Sequence, residues 1–149
     1  LPSTYYALPT TYYILPTTNY PMTTENIQSA YKNLLIWQKS MDFADSVIAL
    51  VEDLDTDRKH YRLIEQLEAA VTSVPLNIAE GSGRESKKEF IRFLYISRGS
   101  LYETLTLLEI FLRRKWITPA QFSDHEQKSS EIAKMLKALI NSLNERISA

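Results

Sequence analysis

The chain has 149 residues, 17 Lys and Arg against 18 Asp and Glu, a net charge of -1 and no cysteine. That length supports one domain with a real core, and the charge balance gives no global field for nucleic acid or an anionic membrane, so a polyanion site has to be a local patch. The lack of cysteine excludes disulfides, thiolate zinc sites and cysteine nucleophiles; with no apolar run of about 18 residues and no signal-like N-terminus, the chain reads as a cytoplasmic protein without a membrane span.

Residues 1–21 form a tandem repeat, LPSTYYA, LPTTYYI, LPTTNYP, with Pro2, Pro9, Pro16 and Pro21 and no charge. Recurrent Pro and Thr cannot build a helix or a core, so this tail is expected to be disordered. An extended Tyr and Pro segment that docks on a partner is the functional alternative. A tandem DNA repeat of 7 or 21 nucleotides, translated upstream of the gene, would also give this pattern and would make Met22 the natural start.

Residues 22–149 carry all the charge, all three glycines and a helical hydrophobic period, and form the folded unit. Leu34, Trp37, Met41, Ala44, Ile48 and Val51 recur at steps of three and four and predict one face of a first helix ending near Leu54. Ile36, Phe43, Val47, Leu50 and Leu54 make a second stripe more than about 100° away, so this helix is either central or at a subunit interface.

A polar loop from Asp55 to His60 precedes a second helix, Tyr61 to Glu80, with Leu63, Leu67, Val74 and Ile78 inward. Pro75 within it should kink or split it, and Gly81 and Gly83 should end it through the left-handed conformation open to glycine. Ser86 and Glu89 form an S-x-x-E capping box that opens a third helix, about 40 Å long, carrying Phe90, Leu94, Leu101, Leu105, Leu108 and Leu112. Arg113, Arg114 and Lys115 suit its C-terminal dipole. Thr118 and Pro119 start a fourth helix that buries Phe122, Ile132, Leu136, Leu139 and Leu143. Short connections make the fold all-α, an antiparallel up-down-up-down four-helix bundle.

Chemistry-bearing motifs are sparse. His60 and His125 belong to no E-x-x-H pair of the di-iron type, so neither a metal nor another cofactor is expected. His125, at a heptad position, reads as a partly buried, hydrogen-bonded ring. Arg58 and His60 are too close for the Arg and His spacing of four-helix ribonucleases, and no catalytic residue is assigned. On the second helix Gln66, Ser73, Asn77 and Glu80 share one side and lead to Arg84; on the third, Arg98, Ser100 and Glu103 surround Gly99. Glycine costs about 1 kcal/mol inside a helix unless a close approach requires it. These residues predict either an internal polar network of Asn77, Glu80 and an arginine, or the lining of a subunit interface or cleft. A hidden enzymatic site could be built only from Glu80, Arg84 and Glu103. Arg84, Lys87, Lys88 and Arg92, at a helix N-terminus, are the candidate nucleic-acid-binding residues, with Glu85 and Glu89 interleaved.

The segment SVPLNIAEGSGRESKKEFIRFLYISRGSLYETLTLLEI, Ser73 to Ile110, resembles the four-helix-bundle proteins encoded in 23S rRNA intervening sequences. LIWQKS from Leu35 and KMLKALINSL from Lys134 extend the resemblance over nearly all of 22–149. It implies a bundle without known enzymatic activity that assembles with itself into homopentameric rings. It is also similar in fold to retroelement accessory proteins that bind a reverse transcriptase and nucleic acid. Glu68 and Ala69 depart from the family, which usually has an arginine before the small-residue run. The expected function is therefore a non-enzymatic, homo-oligomeric adaptor associated with RNA or DNA, or a protein-binding accessory scaffold.

Overall fold

The computed structural model describes residues 31–148 apart from 55, 57 and 58; the tandem repeat and Met22 fall outside them. A single 3-10 turn, Tyr31–Asn33, leads into four α-helices: α1 (Leu35–Glu52), α2 (Tyr61–Ser82), α3 (Lys87–Arg113) and α4 (Pro119–Ser148). Among the described residues there is no strand.

Cross-helix contacts fix the directions. Along α2 and α3, Gln66 meets Glu103, Ser73 meets Ser100 and the Val74 carbonyl meets Ser97. One number rises as the other falls, so the pair is antiparallel. The same holds for α1 and α4, where Lys39 pairs with Glu131 at 3.1 Å and the Ser46 carbonyl faces His125. With short turns joining α2 to α3 and α3 to α4, the up-down-up-down order follows, and α1 and α3 stand at diagonal corners.

Leu67, Val71, Val74 and Ile78 of α2, Leu94, Leu101, Leu108 and Phe111 of α3, and Ile132, Leu136 and Leu139 of α4 fill one continuous core. On α1 the two stripes are unequal. Ile36, Phe43, Val47 and Leu50 are buried, with Leu34, Ala44 and Val51 from the other stripe. Trp37 and Ile48 are only half-buried, and Met41 is exposed.

Pro75 neither splits α2 nor ends it, because one helix runs from Tyr61 to Ser82 with Pro75 buried. Proline in a helix interior costs about 3 kcal/mol through its missing N–H and ring clash. Packing of α2 on α3 on both sides of the proline outweighs this, helped by the buried Ser97 hydroxyl donating to the Val74 carbonyl at 2.9 Å. The glycines also act differently from the sequence expectation. Gly81 lies inside α2, and Gly83 caps it with a φ of -84°, so neither uses the left-handed region. Gly81 is needed for space: a Cβ there would lie 2.6 Å from Phe93 Cβ and 2.8 Å from Phe90 Cδ2.

The caps explain the other boundaries. Ser86 Oγ accepts from the Glu89 N–H at 3.1 Å and opens α3. Ser86→Ala removes that bond and should lower stability by about 1 kcal/mol in urea denaturation, a typical cap loss; an unchanged midpoint would count against the cap. Thr118 and Gln121 form a reciprocal box at α4, with Thr118 N–H donating to Gln121 Oε1 and Gln121 N–H to Thr118 Oγ1.

At the far end of α3, Lys115 N–H donates to the Leu112 carbonyl and Trp116 N–H to the Phe111 carbonyl, both at 2.9 Å. This is a Schellman cap completed by contact between the Phe111 and Trp116 rings, 5.1 Å apart. Its left-handed position, usually glycine, is Lys115 with φ of 59°. His125 is buried as expected from its heptad position, with Nδ1 2.7 Å from the Gln121 carbonyl and Nε2 3.3 Å from that of Ser46.

Candidate functional site

The polar residues of α2 and α3 do not form one network. Asn77 donates to the Ser73 carbonyl at 2.7 Å and to Ser73 Oγ at 2.9 Å, and Ser73 Oγ shares a hydrogen bond of 2.8 Å with Ser100. Farther along the groove, Gln66 donates to Glu103 Oε1 at 3.2 Å. Glu80 pairs with Arg84 on its own side of the turn, and Arg98 lies over the Tyr95 ring at 4.7 Å. The expected union of Asn77, Glu80 and an arginine is therefore replaced by a short serine and asparagine knot, a separate bridge and a local ion pair. Small side chains let α2 and α3 approach closely and bond directly, which leaves no room for an arginine between them. Glu103 lies level with Gln66, fourteen residues from Glu80 along α2, so the trio Glu80, Arg84 and Glu103 is not brought together.

Arg84, Lys87, Lys88 and Arg92 gather where α2 turns into α3, and their surroundings divide them. Arg84 is held by Glu80 and packs over the Phe93 ring at 4.8 Å. Lys87 Nζ reaches the Arg146 carbonyl at 3.3 Å and ties α3 to the end of α4. Lys88 and Arg92 are exposed and make no ion pair among the described residues. These two are the cations best placed to meet a phosphate at the N-terminal end of α3.

A neighbouring surface escaped sequence reading. Leu76 of α2 is 65% exposed, and Tyr95, Ile96 and Tyr102 of α3 are also exposed on the outer side of these helices. Gly99 sits among them, and a Cβ added to it would meet nothing within 4 Å. Among the described residues the close approach that this glycine permits is thus not used, unlike that of Gly81. Lys88, Arg92, Tyr95, Gly99, Tyr102 and Thr106 recur at steps of four and three along α3, which is the spacing of a helix-packing seam. A second seam on α3, hidden beneath the core pattern, was the signal available in the sequence.

Elsewhere, an open groove of about 580 Å³ runs along α4 beside Tyr102 and Leu105. Ser129 borders it, and among the described residues its Oγ is the buried side-chain polar atom without a hydrogen bond. No group of three His, Cys, Asp or Glu residues capable of holding a metal occurs among the described residues, and no described helix is long and apolar enough to cross a membrane.

The fold and this surface define a class: a four-helix bundle with an exposed aromatic seam on α3 that runs into a basic end. Residues 32–138 match the 23S rRNA-intervening sequence protein family model, and the chain belongs to that family. It is also similar to the crystal structure of a protein of unknown function from the S23 ribosomal protein family of Bacteroides thetaiotaomicron. Identity is 30%, coverage is 71% of this chain and 98% of the other, and the TM-score is 0.67. No curated protein matches the chain.

Proposed function

We propose that the chain is a non-enzymatic, homo-oligomeric adaptor that closes into a ring and holds RNA or DNA on repeated basic ends, with no cofactor, in the cytoplasm. The observation that carries this reading is the outer seam of α3. Its apolar part, Tyr95, Gly99 and Tyr102, is exposed and suited to pack against another helix, and Gly99 at its centre meets none among the described residues. Its basic part, Lys88 and Arg92, lies on the same stripe, so association through the first repeats the second around the assembly. Net charge near zero does not oppose this, because a ring of local patches concentrates cations that one copy presents singly.

Light scattering coupled to size exclusion, with and without a short structured RNA at two salt concentrations, tests the reading. The expected result is a discrete oligomer that shifts with RNA and releases it as salt rises, since neutralised phosphates release counterions. A clean monomer would sink the assembly. Lys87→Glu with Lys88→Glu should weaken RNA binding at low salt by about tenfold or more; unchanged affinity removes this patch.

A second reading is an accessory scaffold for another protein, a retroelement reverse transcriptase for instance. The same exposed Leu76, Tyr95, Ile96 and Tyr102 favour it, since an apolar, aromatic face suits a protein partner. An oligomer indifferent to RNA, located beside a reverse-transcriptase gene, would select it.

A further inference from the structure

The opposite end of the bundle carries a second cluster that the reading above does not use. His60, just before α2, and Trp116, just after α3, pack with ring centroids 4.9 Å apart and planes tilted by 39°, and the Arg114 guanidinium lies 5.9 Å over the Trp116 ring. Lys59, Arg62, Arg114 and Lys115 are all exposed there and make no ion pair among the described residues. Arg113, by contrast, is engaged by Glu109 at 2.8 Å. Glu52 and Asp53 bring acid to the same end, so the patch is not uniformly basic.

Backbone conformation adds an independent observation. The non-glycine residues with positive φ in the described chain are His60 at 66° and Lys115 at 59°, and both belong to this cluster. Both conformations are ones in which glycine would be less strained. The chain instead holds a ring and an ammonium there. A side chain kept in this conformation, at a cost that glycine would avoid, points to a use for it, which at His60 includes the contact with Trp116. The Schellman cap accounts for the conformation at Lys115 but needs nothing from its ammonium.

We infer that this end, built from Lys59, His60, Arg62, Arg114 and Lys115 around Trp116, binds single-stranded nucleic acid. This rests on the nucleic-acid reading above and narrows it. Cations alone would serve any phosphate backbone, but an exposed ring beside them offers a platform that unpaired bases can use and a duplex cannot. His60 is exposed and Trp116 half-buried against it, so the outer side of His60 is the stacking surface and Trp116 its support.

The two strained positions allow a test in which stability and binding move in opposite directions. His60→Gly with Lys115→Gly removes the platform and one cation, yet relieves both left-handed residues, so the variant should melt at a higher temperature than the parent. Binding is measured by fluorescence anisotropy with an oligouridylate of about 15 nucleotides and with a fully paired hairpin. The parent should prefer the oligouridylate, and the glycine variant should bind it about tenfold more weakly. A variant that is more stable and binds equally well overturns the inference. Equal affinity of the parent for both probes overturns the choice of single strands. If the parent binds neither probe, the nucleic-acid reading itself falls. If Lys87→Glu with Lys88→Glu weakens binding while the glycine variant does not, only this second site is lost.

Discussion

Gly81→Val should destabilise the bundle strongly, lowering stability by about 3 kcal/mol or more in urea denaturation followed by circular dichroism. Two effects compete. A side chain at a helical glycine gains up to about 1 kcal/mol of intrinsic preference. Against it, the new Cβ would stand 2.6 Å from Phe93 Cβ and 2.8 Å from the Phe90 ring, where carbon atoms ordinarily settle near 3.5–4.0 Å. Phe93 Cβ is anchored to its backbone, so relief requires α2 and α3 to separate by roughly an ångström. That separation would strain the Ser73 to Ser100 bond of 2.8 Å and the Ser97 to Val74 bond of 2.9 Å. With domain stabilities of about 5–15 kcal/mol, such a loss is a large part of the total. A variant with the parental midpoint would show that the two helices do not meet this closely.

If the chain assembles through the outer face of α3 as proposed, Tyr95→Glu combined with Ile96→Glu should give monomers without unfolding it. These side chains are 45% and 42% exposed in the single chain, so their replacement leaves the core untouched. In an interface the exposed share of each would contribute about 1 kcal/mol by burial, and a buried, unpaired carboxylate costs further. The combined loss of about 3 kcal/mol or more per interface weakens association by about two orders of magnitude. Light scattering at micromolar concentration reads the change directly. An unchanged oligomer mass, with folding intact, would move the interface elsewhere on the bundle. Gly99→Ala is the companion measurement. Nothing within 4 Å opposes its methyl group, so the isolated chain should gain up to about 1 kcal/mol.

These two glycines also show what the sequence can and cannot convey. The helices, their caps at Ser86 and Thr118, and most of the core follow from periodicity and capping chemistry, which are local. Which of three glycines is squeezed between helices is not local. Gly81 lies at the end of a periodic run and reads as a stop signal, whereas its neighbours Phe90 and Phe93 lie across a turn. Gly99 reads as a point of close approach, and the described residues leave it open. The polar residues fail for a similar reason. Periodicity puts Gln66, Ser73, Asn77 and Glu80 on one side of α2 and groups Arg98, Ser100 and Glu103 on α3, but only the closeness of α2 and α3 decides that Ser73 bonds Ser100 and that Arg98 turns to the Tyr95 ring. The contacting His60 and Trp116 are 56 residues apart and lie in segments that look like ordinary polar loops.

The cross-helix hydrogen bonds also set an order of assembly in time. Those joining α2 to α3 close chain segments of 23 to 37 residues, while the His125 contact that joins α4 to α1 closes 79. Closing the longer segment costs about 1 kcal/mol more in chain entropy than closing the shorter ones. The α2–α3 hairpin is therefore the part of the chain that can form first and open last. Contact of α4 with α1 is the costliest of these to close from the open chain, and a formed hairpin shortens the span that it must bridge.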